Sequence, residues 1–217
     1  MSTTPADIIQ AIESAPYEAA TEALLERYVA TQLSSGKYDF VANKALLKSY
    51  QCHASPAAKL DVITDILVLS LMRMPSTDYL ALSYLMPGGK VTSEKLALLQ
   101  KYAELMEKSQ YKEFWAEYAV SGASFANAVG FEGAVRECIV LNTSCTFRDV
   151  DMGVLAPMVG LEGAALKAFL ASCKLIEAVT DNSVRFLPND ENTTGGKSSV
   201  DSSLKLDRMK QLFKLSA

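Results

Sequence analysis

The chain has 217 residues, of which 49% are hydrophobic and 21% charged, and its formal net charge is -4 at pH 7. A globular chain of this length holds one large or two small domains with proper cores. Nucleic acid is bound chiefly through Lys and Arg contacts to phosphate, so the negative charge excludes long-range attraction to DNA or RNA and leaves only local contacts.

The cysteines show no paired spacing, and the chain begins without the charged start, apolar run and cleavage site of a signal peptide. The four cysteines are Cys52, Cys138, Cys145 and Cys173. These features predict reduced thiols in the cytoplasm. The most apolar run, Ile66 to Met72, is far shorter than the roughly 20 residues of a membrane-spanning helix, so no membrane span is predicted.

The segment from Leu24 to Gln51 predicts two short amphipathic helices joined by a polar turn. In the first helix, side chains at i, i+3, i+4 and i+7 are predicted to form one buried stripe. That stripe comprises Leu25, Tyr28, Val29 and Gln32. Glu22, Glu26 and Arg27 fall on the opposite face, and we expect them to contact water.

The second helix of this pair has its own stop and start signals. Ser34, Ser35 and Gly36 end the first helix, and Asp39 is placed to cap the next one. The buried stripe of the second helix comprises Phe40, Leu46, Leu47 and Tyr50. A helix pair of this kind must bury both stripes against neighbouring helices.

Helical patterns with short polar breaks continue to about Ser121, and strand patterns are absent there. The breaks are at Ser14 to Pro16, Ser34 to Lys37, His53 to Pro56, Pro75 to Ser76, Pro87 to Lys90 and Ser109 to Gln110. Two further buried stripes are predicted. The first comprises Leu60, Ile63, Leu67, either Ser70 or Leu71, and Met74. The second follows a cap at Thr92 or Ser93 and comprises Leu96, Leu99, Ala103 and Met106. No motif repeats at a fixed period, so residues 1–128 are predicted to form an irregular, HEAT-like helical-repeat domain.

The pattern changes near Phe131. Three helices are predicted, from about Gly133 to Cys145, Val150 to Val159 and Gly163 to Ser172. Residues 174–188 then alternate as two strands around a turn at Thr180 to Ser183. Three helices with a two-stranded wing indicate a winged-helix domain over residues 129–188. Pro157 is expected to kink its helix or end it early, because proline lacks a backbone donor.

Residues 189–217 are predicted to be a solvated linker followed by a C-terminal helix. Asp190 to Ser203 is polar and contains Gly195 and Gly196. The helix that follows combines an apolar stripe with basic neighbours, namely Leu204, Leu206, Met209, Leu212, Phe213 and Leu215 beside Lys205, Arg208, Lys210 and Lys214. Such a stripe is too strong for a free tail, so we expect it to bind a partner or to fold back on its own winged helix.

The helix pair closely resembles the subunit k family of eukaryotic translation initiation factor 3. The matching positions are Leu25, Glu26, Arg27, Tyr28, Val29, Thr31, Gln32, Tyr38, Asp39, Ala42, Asn43, Leu47, Lys48, Tyr50 and Gln51. Weaker matches follow in the same order at Phe114, Trp115, Gly130, Phe131, Glu132, Val135, Arg136, Leu155, Ala156 and Gly160.

This family is a short form of the PCI proteins, which occur in the proteasome lid, the COP9 signalosome and translation initiation factor 3. The resemblance implies a mostly α-helical fold with a helical-repeat domain followed by a winged helix. It also implies a non-catalytic subunit that joins the factor on the small ribosomal subunit, chiefly by pairing with subunit l, and so contributes to preinitiation complex assembly. A PCI subunit of the proteasome lid or signalosome is the alternative, which the segment from Leu24 to Gln51 disfavours.

Partner contacts are predicted at the wing and at the C-terminal helix, since the family uses its winged helix and terminal helices for this purpose. The second strand of the wing is expected to be an exposed edge that can add to a partner's sheet. The predicted contact residues are Val184, Phe186, Leu204, Met209, Leu212 and Phe213.

The residue patterns predict no catalytic, cofactor or metal site, and the chain is not expected to be an enzyme. His53 is the only histidine, which excludes Ser-His-Asp triads and zinc sites built on paired imidazoles, so it is predicted to be a plain loop residue. Cys138 and Cys145 have the spacing of small core residues. Gly195 to Ser198 resembles the end of a P-loop, but Glu191 stands where the first glycine is required.

Nucleic-acid binding is the alternative from another class, because a winged helix can place its third helix in the major groove of DNA. That helix offers Lys167 and Lys174 but no arginine, and Glu162 opposes them. Residues 132–188 contain five basic and seven acidic residues, a balance of -2. Trp115 with its aromatic neighbours is predicted to be core and not a platform for an RNA base. We therefore expect protein partners and no sequence-specific DNA binding.

Overall fold

The computed structural model describes residues 5–52, 59–86 and 93–193. The helices within these ranges are α1 (Pro5–Ser14), α2 (Ala19–Ser35), α3 (Phe40–Gln51), α4 (Leu60–Leu71), α5 (Asp78–Ser83), α6 (Glu94–Glu107), α7 (Tyr111–Ser121), α8 (Phe131–Thr146), α9 (Met152–Val159) and α10 (Gly163–Ser172). A short 3-10 helix, Gly122–Phe125, follows α7, and the strands are β1 (Asp149–Asp151), β2 (Ile176–Val179) and β3 (Ser183–Phe186). The fold is therefore mostly α-helical with one small sheet, as predicted.

Helices α2 and α3 form the predicted hairpin. Gly36 ends α2 in a left-handed conformation with φ of 67°, which glycine adopts at little cost. The Asp39 side chain then caps α3 by accepting a hydrogen bond from the Ala42 backbone N–H at 3.1 Å. Both predicted stripes face the core, with Tyr28 and Phe40 as their partly buried members.

Gln32 and Asn43 form a buried amide pair between α2 and α3. Gln32 Nε2 donates to Asn43 Oδ1 at 2.9 Å, and Asn43 Nδ2 donates back to Gln32 Oε1 at 3.1 Å. The Asp39 backbone N–H adds a third hydrogen bond to Gln32 Oε1 at 2.8 Å. Because both side chains are almost fully buried, each depends on the other for its hydrogen bonds. The pair thereby fixes the register of the hairpin.

The prediction that Glu22 and Glu26 face water is wrong. Glu22 is only 7% exposed. Its carboxylate accepts a hydrogen bond from Ser49 on α3 and pairs with Lys59 Nζ at 3.1 Å. Glu26 is half-buried, pairs with the same ammonium group at 2.6 Å, and accepts a hydrogen bond from the Tyr50 hydroxyl at 2.7 Å. Two carboxylates on α2 are thus tied to α3 and to the start of α4.

Helix α4 is the centre of the helical stack. Eight of its twelve residues are buried, and it packs against α2, α3, α5 and α6. The stripes predicted for α4 and α6 are confirmed by their burial. Helix α6 also starts at its predicted cap, since Ser93 Oγ accepts a hydrogen bond from the Leu96 backbone N–H at 3.1 Å.

Helices α8, α9 and α10 together with the three strands form the predicted winged helix. The sheet is antiparallel in the order β1-β3-β2, with Val150 opposite Val184 and Ile176 opposite Phe186. Helix α10 has its predicted bounds. Strand β1 was not predicted, because three residues between two helices are too few to show strand alternation.

One of the two effects expected of Pro157 is absent, and the expectation about the wing edge is wrong. Pro157 does not end α9 early, since the helix continues to Val159 and ends at Gly160 with a left-handed φ of 67°. Strand β3 is not an exposed edge, because it lies between β1 and β2. Val184 and Phe186 are 0% exposed, so their side chains pack in the core and do not face a partner.

The first residues of the predicted linker are ordered and cap α8. Asn192 is 7% exposed, and its side chain donates to the Ser144 carbonyl at 2.8 Å and to the Leu187 carbonyl at 2.9 Å. Asn189 donates to the same Ser144 carbonyl at 3.0 Å. The last carbonyls of a helix lack partners within it, so these two amides complete the end of α8.

Several predictions concern residues outside the described ranges, and they stay predictions. These are the loop at His53, the break at Pro87 to Lys90, the P-loop-like Gly195 to Ser198, the rest of the linker, and the C-terminal helix with Leu204, Met209, Leu212 and Phe213.

Replacing Asn43 with Leu should lower the free energy of unfolding by about 2–4 kcal/mol, because Gln32 would stay buried without its two side-chain hydrogen bonds. Urea denaturation of the variant and the wild type measures the change. Lys48→Ala, on the exposed side of α3, is the control and should shift the free energy by less than about 0.5 kcal/mol. A loss in N43L no larger than in the control would contradict the role of the amide pair.

Candidate partner interface

The winged helix is fixed to the helical stack through Trp115 on α7. The indole Nε1–H donates to the Met158 carbonyl of α9 at 2.9 Å. The ring lies so close to Gly160 that a Cβ at this glycine would be 2.9 Å from it. The guanidinium of Arg136, on α8, stacks on the same ring at 4.7 Å from the centroid. Three helices therefore meet at one side chain.

The aromatic cluster around Trp115 is core, as predicted. Phe114 is 0% exposed and Tyr111 is 3% exposed. Tyr118 stacks on Phe131 with ring centroids 5.7 Å apart, and burial is the main reason that the pKa of its hydroxyl is raised. Trp115 and Tyr118 are partly buried and pack against the same core.

A cavity of about 750 Å³ opens beside this junction. Trp115, Tyr118 and four glycines line it, and its charged side chains are Glu132 and Arg136, which pair at 3.0 Å. The described residues that line the cavity include no Ser, Cys, His or Lys. Glycines, alanines and aromatic rings make up most of the lining.

The sheet has two edges, of which β2 is the more exposed. Val179 on β2 is 40% exposed, and Leu187, just beyond β3, is 43% exposed. An edge strand can pair with a strand from another chain, and apolar side chains beside it add contact area. The strand pattern could have shown that Val184 and Phe186 on β3 face inward, because the charged Arg185 lies between them and alternate residues of a strand point to opposite faces.

Charged side chains on the outer face of the sheet pair with one another. Arg185 Nε lies 2.7 Å from Asp149 Oδ1, and Arg148 pairs with Glu177 on β2. All four groups are substantially exposed, so these pairs add little stability. Their consequence is that both arginines of the sheet already have carboxylate partners.

Helix α10 presents little free positive charge. Lys167 Nζ pairs with Asp181 in the turn of the wing at 3.0 Å. Asp151 and Glu162 line the adjoining cavity of about 630 Å³ together with these two residues. A DNA-binding helix needs basic and amide side chains directed at phosphates and base edges. The described face of α10 fits a protein partner better.

The two cysteines of α8 are in environments that disfavour metal binding. Burial raises the pKa of the Cys138 thiol to about 11. Burial and the nearby Glu191 also raise the pKa of Cys145. Cysteine binds metals as the thiolate, which both shifts oppose. Among the described residues, no group of three or more His, Cys, Asp or Glu side chains could hold a metal ion.

Within the three described ranges, no single helix is long and apolar enough to cross a membrane. Helices α9 and α10 reach that length only as a pair, and they are bent by 87° relative to each other.

A model of the CSN8/PSMD8/EIF3K family matches residues 57–193 of the chain. Three relatives are named eukaryotic translation initiation factor 3 subunit K. The Bombyx mori protein is 28% identical over 194 residues, which cover 88% of this chain and 86% of the relative. The Xenopus laevis protein is 28% identical over 187 residues, covering 85% and 84%. The Drosophila grimshawi protein is 26% identical over 148 residues, covering 68% of this chain and 66% of the relative.

Gly160→Ala should destabilise the protein by about 2 kcal/mol more than Gly163→Ala. Both glycines have a left-handed φ, of 67° and 55°, but a Cβ at position 160 would meet the Trp115 ring, whereas one at position 163 would meet nothing within 4 Å. Alanine at either position carries the backbone strain of about 1–2 kcal/mol. Thermal denaturation of both variants measures the difference, and equal losses would show that the ring yields freely.

Proposed function

Because the chain belongs to the CSN8/PSMD8/EIF3K family, we propose that it is a non-catalytic structural subunit of the eukaryotic translation initiation factor 3 complex. The observation that carries the proposal is the alignment of 88% and 85% of the chain with relatives named as subunit K of that factor. In this proposed role the protein acts in the cytoplasm and contributes to assembly of the 43S preinitiation complex on the small ribosomal subunit.

The principal partner in this proposal is subunit l, bound by the winged helix and the C-terminal helix. The exposed edge of β2, with Val179 and Leu187 beside it, supports strand addition by a partner. Val184 and Phe186 contribute indirectly, because they hold the sheet on its core. The C-terminal helix offers the partner an apolar face formed by Leu204, Met209, Leu212 and Phe213.

The proposal divides the chain into residues 1–128, 129–188 and 189–217, as repeat domain, winged helix, and linker with C-terminal helix. The helical stack has apolar side chains on its outside, with Val41 at 61%, Leu80 at 49% and Tyr84 at 79% exposure. Stacked helices provide extended surfaces of this kind for further subunits.

A PCI subunit of the proteasome lid or of the COP9 signalosome is the second candidate, since the matching family is described by all three subunit types. The relatives named as subunit K favour the initiation factor. A winged-helix nucleic-acid-binding protein, the candidate from another class, is disfavoured by the Lys167–Asp181 pair and by the net charge of -4.

Affinity purification of the tagged chain from its own cells tests this assignment. We expect other subunits of initiation factor 3, subunit l foremost, together with components of the small ribosomal subunit. Recovery of proteasome-lid or signalosome subunits without any initiation factor would overturn the proposal. Nucleic-acid binding that is tight at low salt and falls steeply as salt rises would support the other class.

Combining Leu212→Asp with Phe213→Asp should weaken capture of subunit l by at least about tenfold, because two carboxylates would have to be buried against an apolar partner surface. Ser202→Asp with Ser203→Asp is the matched control, since it adds the same charge within the predicted linker. Circular dichroism checks that both variants keep the helical content of the wild type. Unchanged capture by L212D F213D would place the interface elsewhere.

A further inference from the structure

A second apolar surface lies between α8 and the junction of α10 with β2. It is a groove of about 410 Å³. Val140 is buried in it, and Leu141, Cys173 and Leu175 line it as half-buried side chains. Glu137 and Lys174 are the charged residues of the lining, and both are exposed. A groove with this composition fits an apolar helix face.

The last described residues of the chain lie beside this groove. Leu175 accepts a hydrogen bond through its carbonyl from the Leu187 backbone N–H at 2.8 Å. The Leu187 carbonyl in turn accepts from the Asn192 side chain at 2.9 Å, and the same amide reaches the Ser144 carbonyl at 2.8 Å. Ser144 follows Leu141 by three residues on α8. The remaining chain, which starts after Thr193, therefore begins at the groove's end.

The charge of that remaining chain is opposite to the charge of the winged helix. Residues 194–217 contain five basic and two acidic residues, a balance of +3. Residues 132–193 contain five basic and nine acidic residues, a balance of -4. The pattern of the C-terminal segment places Leu206, Met209 and Phe213 at i, i+3 and i+7, which predicts one apolar stripe flanked by lysines and an arginine.

The segment that joins Thr193 to Leu206 acts as a tether, and it is long enough to allow docking and short enough to favour it. The thirteen residue-to-residue steps from Thr193 to Leu206 span at most about 47 Å when extended. A flexible tether of this length holds its segment at an effective concentration on the order of millimolar. A second copy of the chain would have to reach a similar concentration to compete for the same groove.

We propose that the C-terminal segment, residues 204–215, docks in this groove of its own chain in the isolated subunit. Its apolar stripe covers Leu141 and Leu175, and its basic residues lie toward Glu137. When a partner binds the same stripe, the segment leaves the groove. The exchange with a partner rests on the proposed function, whereas the docking within the isolated chain does not.

Alkylation of Cys173 in the full-length chain measures whether the groove is covered. At about pH 8 we expect Cys173 to be alkylated at least about tenfold more slowly in the wild type than in L212D F213D. This ratio corresponds to a docked fraction of about 90% in the wild type, because only the undocked fraction reacts. S202D S203D, which adds the same charge in the linker, should keep the wild-type rate. Cys52, on the exposed end of α3, should react alike in all three proteins. Equal Cys173 rates in all three would overturn the proposal.

Carbodiimide crosslinking at low protein concentration identifies the occupant. Docking within one chain predicts links from Glu137 to Lys205, Lys210 or Lys214. A mixture of unlabelled and isotope-labelled chains reveals the origin of each link. Links between labelled and unlabelled chains would assign the groove to a second copy, and the absence of any link would leave it uncovered, so either result overturns the proposal. Both measurements use the isolated chain, so their failure is distinct from a failure to recover initiation-factor subunits.

Discussion

The Trp115 indole joins the helical stack to the winged helix, and the placement of the proposed interface depends on it. Its N–H is bonded to Met158, its ring lies against Gly160, and Arg136 covers it by stacking. The neighbouring rings continue into the core of the stack, where Tyr102 meets Phe114 with centroids 5.0 Å apart. Buried aromatic contacts of this kind resist displacement. The winged helix is thereby held against the stack through α8 and α9.

Charge pairing on the winged helix determines which partners it suits. Lys167, Arg148 and Arg185 each have a carboxylate partner within the same small domain. Such exposed pairs change stability little. They do reduce the positive potential that phosphates would require, and they leave apolar edges and grooves as the available recognition surface. The same surface therefore argues against nucleic acid and in favour of protein.

Sequence patterns predicted the features that are decided within one helix. The buried stripes of α2, α3 and α6 and the caps at Asp39 and Ser93 depend on neighbours within a few residues, and all of them are present. Glu22 could not be placed this way, because its burial depends on Ser49, 27 residues away, and on Lys59. The central position of β3 likewise depends on pairing with β1, 36 residues earlier at Asp149 and Arg185.

The candidate interface was predicted less well than the fold, for a related reason. Val184 and Phe186 belong to the inner face of the sheet, whereas contact with a partner requires its outer face or a free edge. The groove on α8 is lined by residues of α8, of the end of α10 and of the segment that joins α10 to β2, so no local pattern could indicate it.

The residues of the helix pair that carry the family resemblance and those proposed to bind partners differ for a physical reason. Gln32 and Asn43 satisfy each other inside the hairpin, so a single substitution leaves a buried polar group without its partner. An apolar stripe that contacts a partner tolerates exchanges such as Leu for Met at a cost of less than about 1.5 kcal/mol. A polar core pair therefore leaves a specific sequence signature, whereas an apolar interface leaves only a pattern. The helix pair carries its resemblance through residues that pack the fold, whereas the family model matches residues 57–193. The binding surfaces have to be located from exposure and charge.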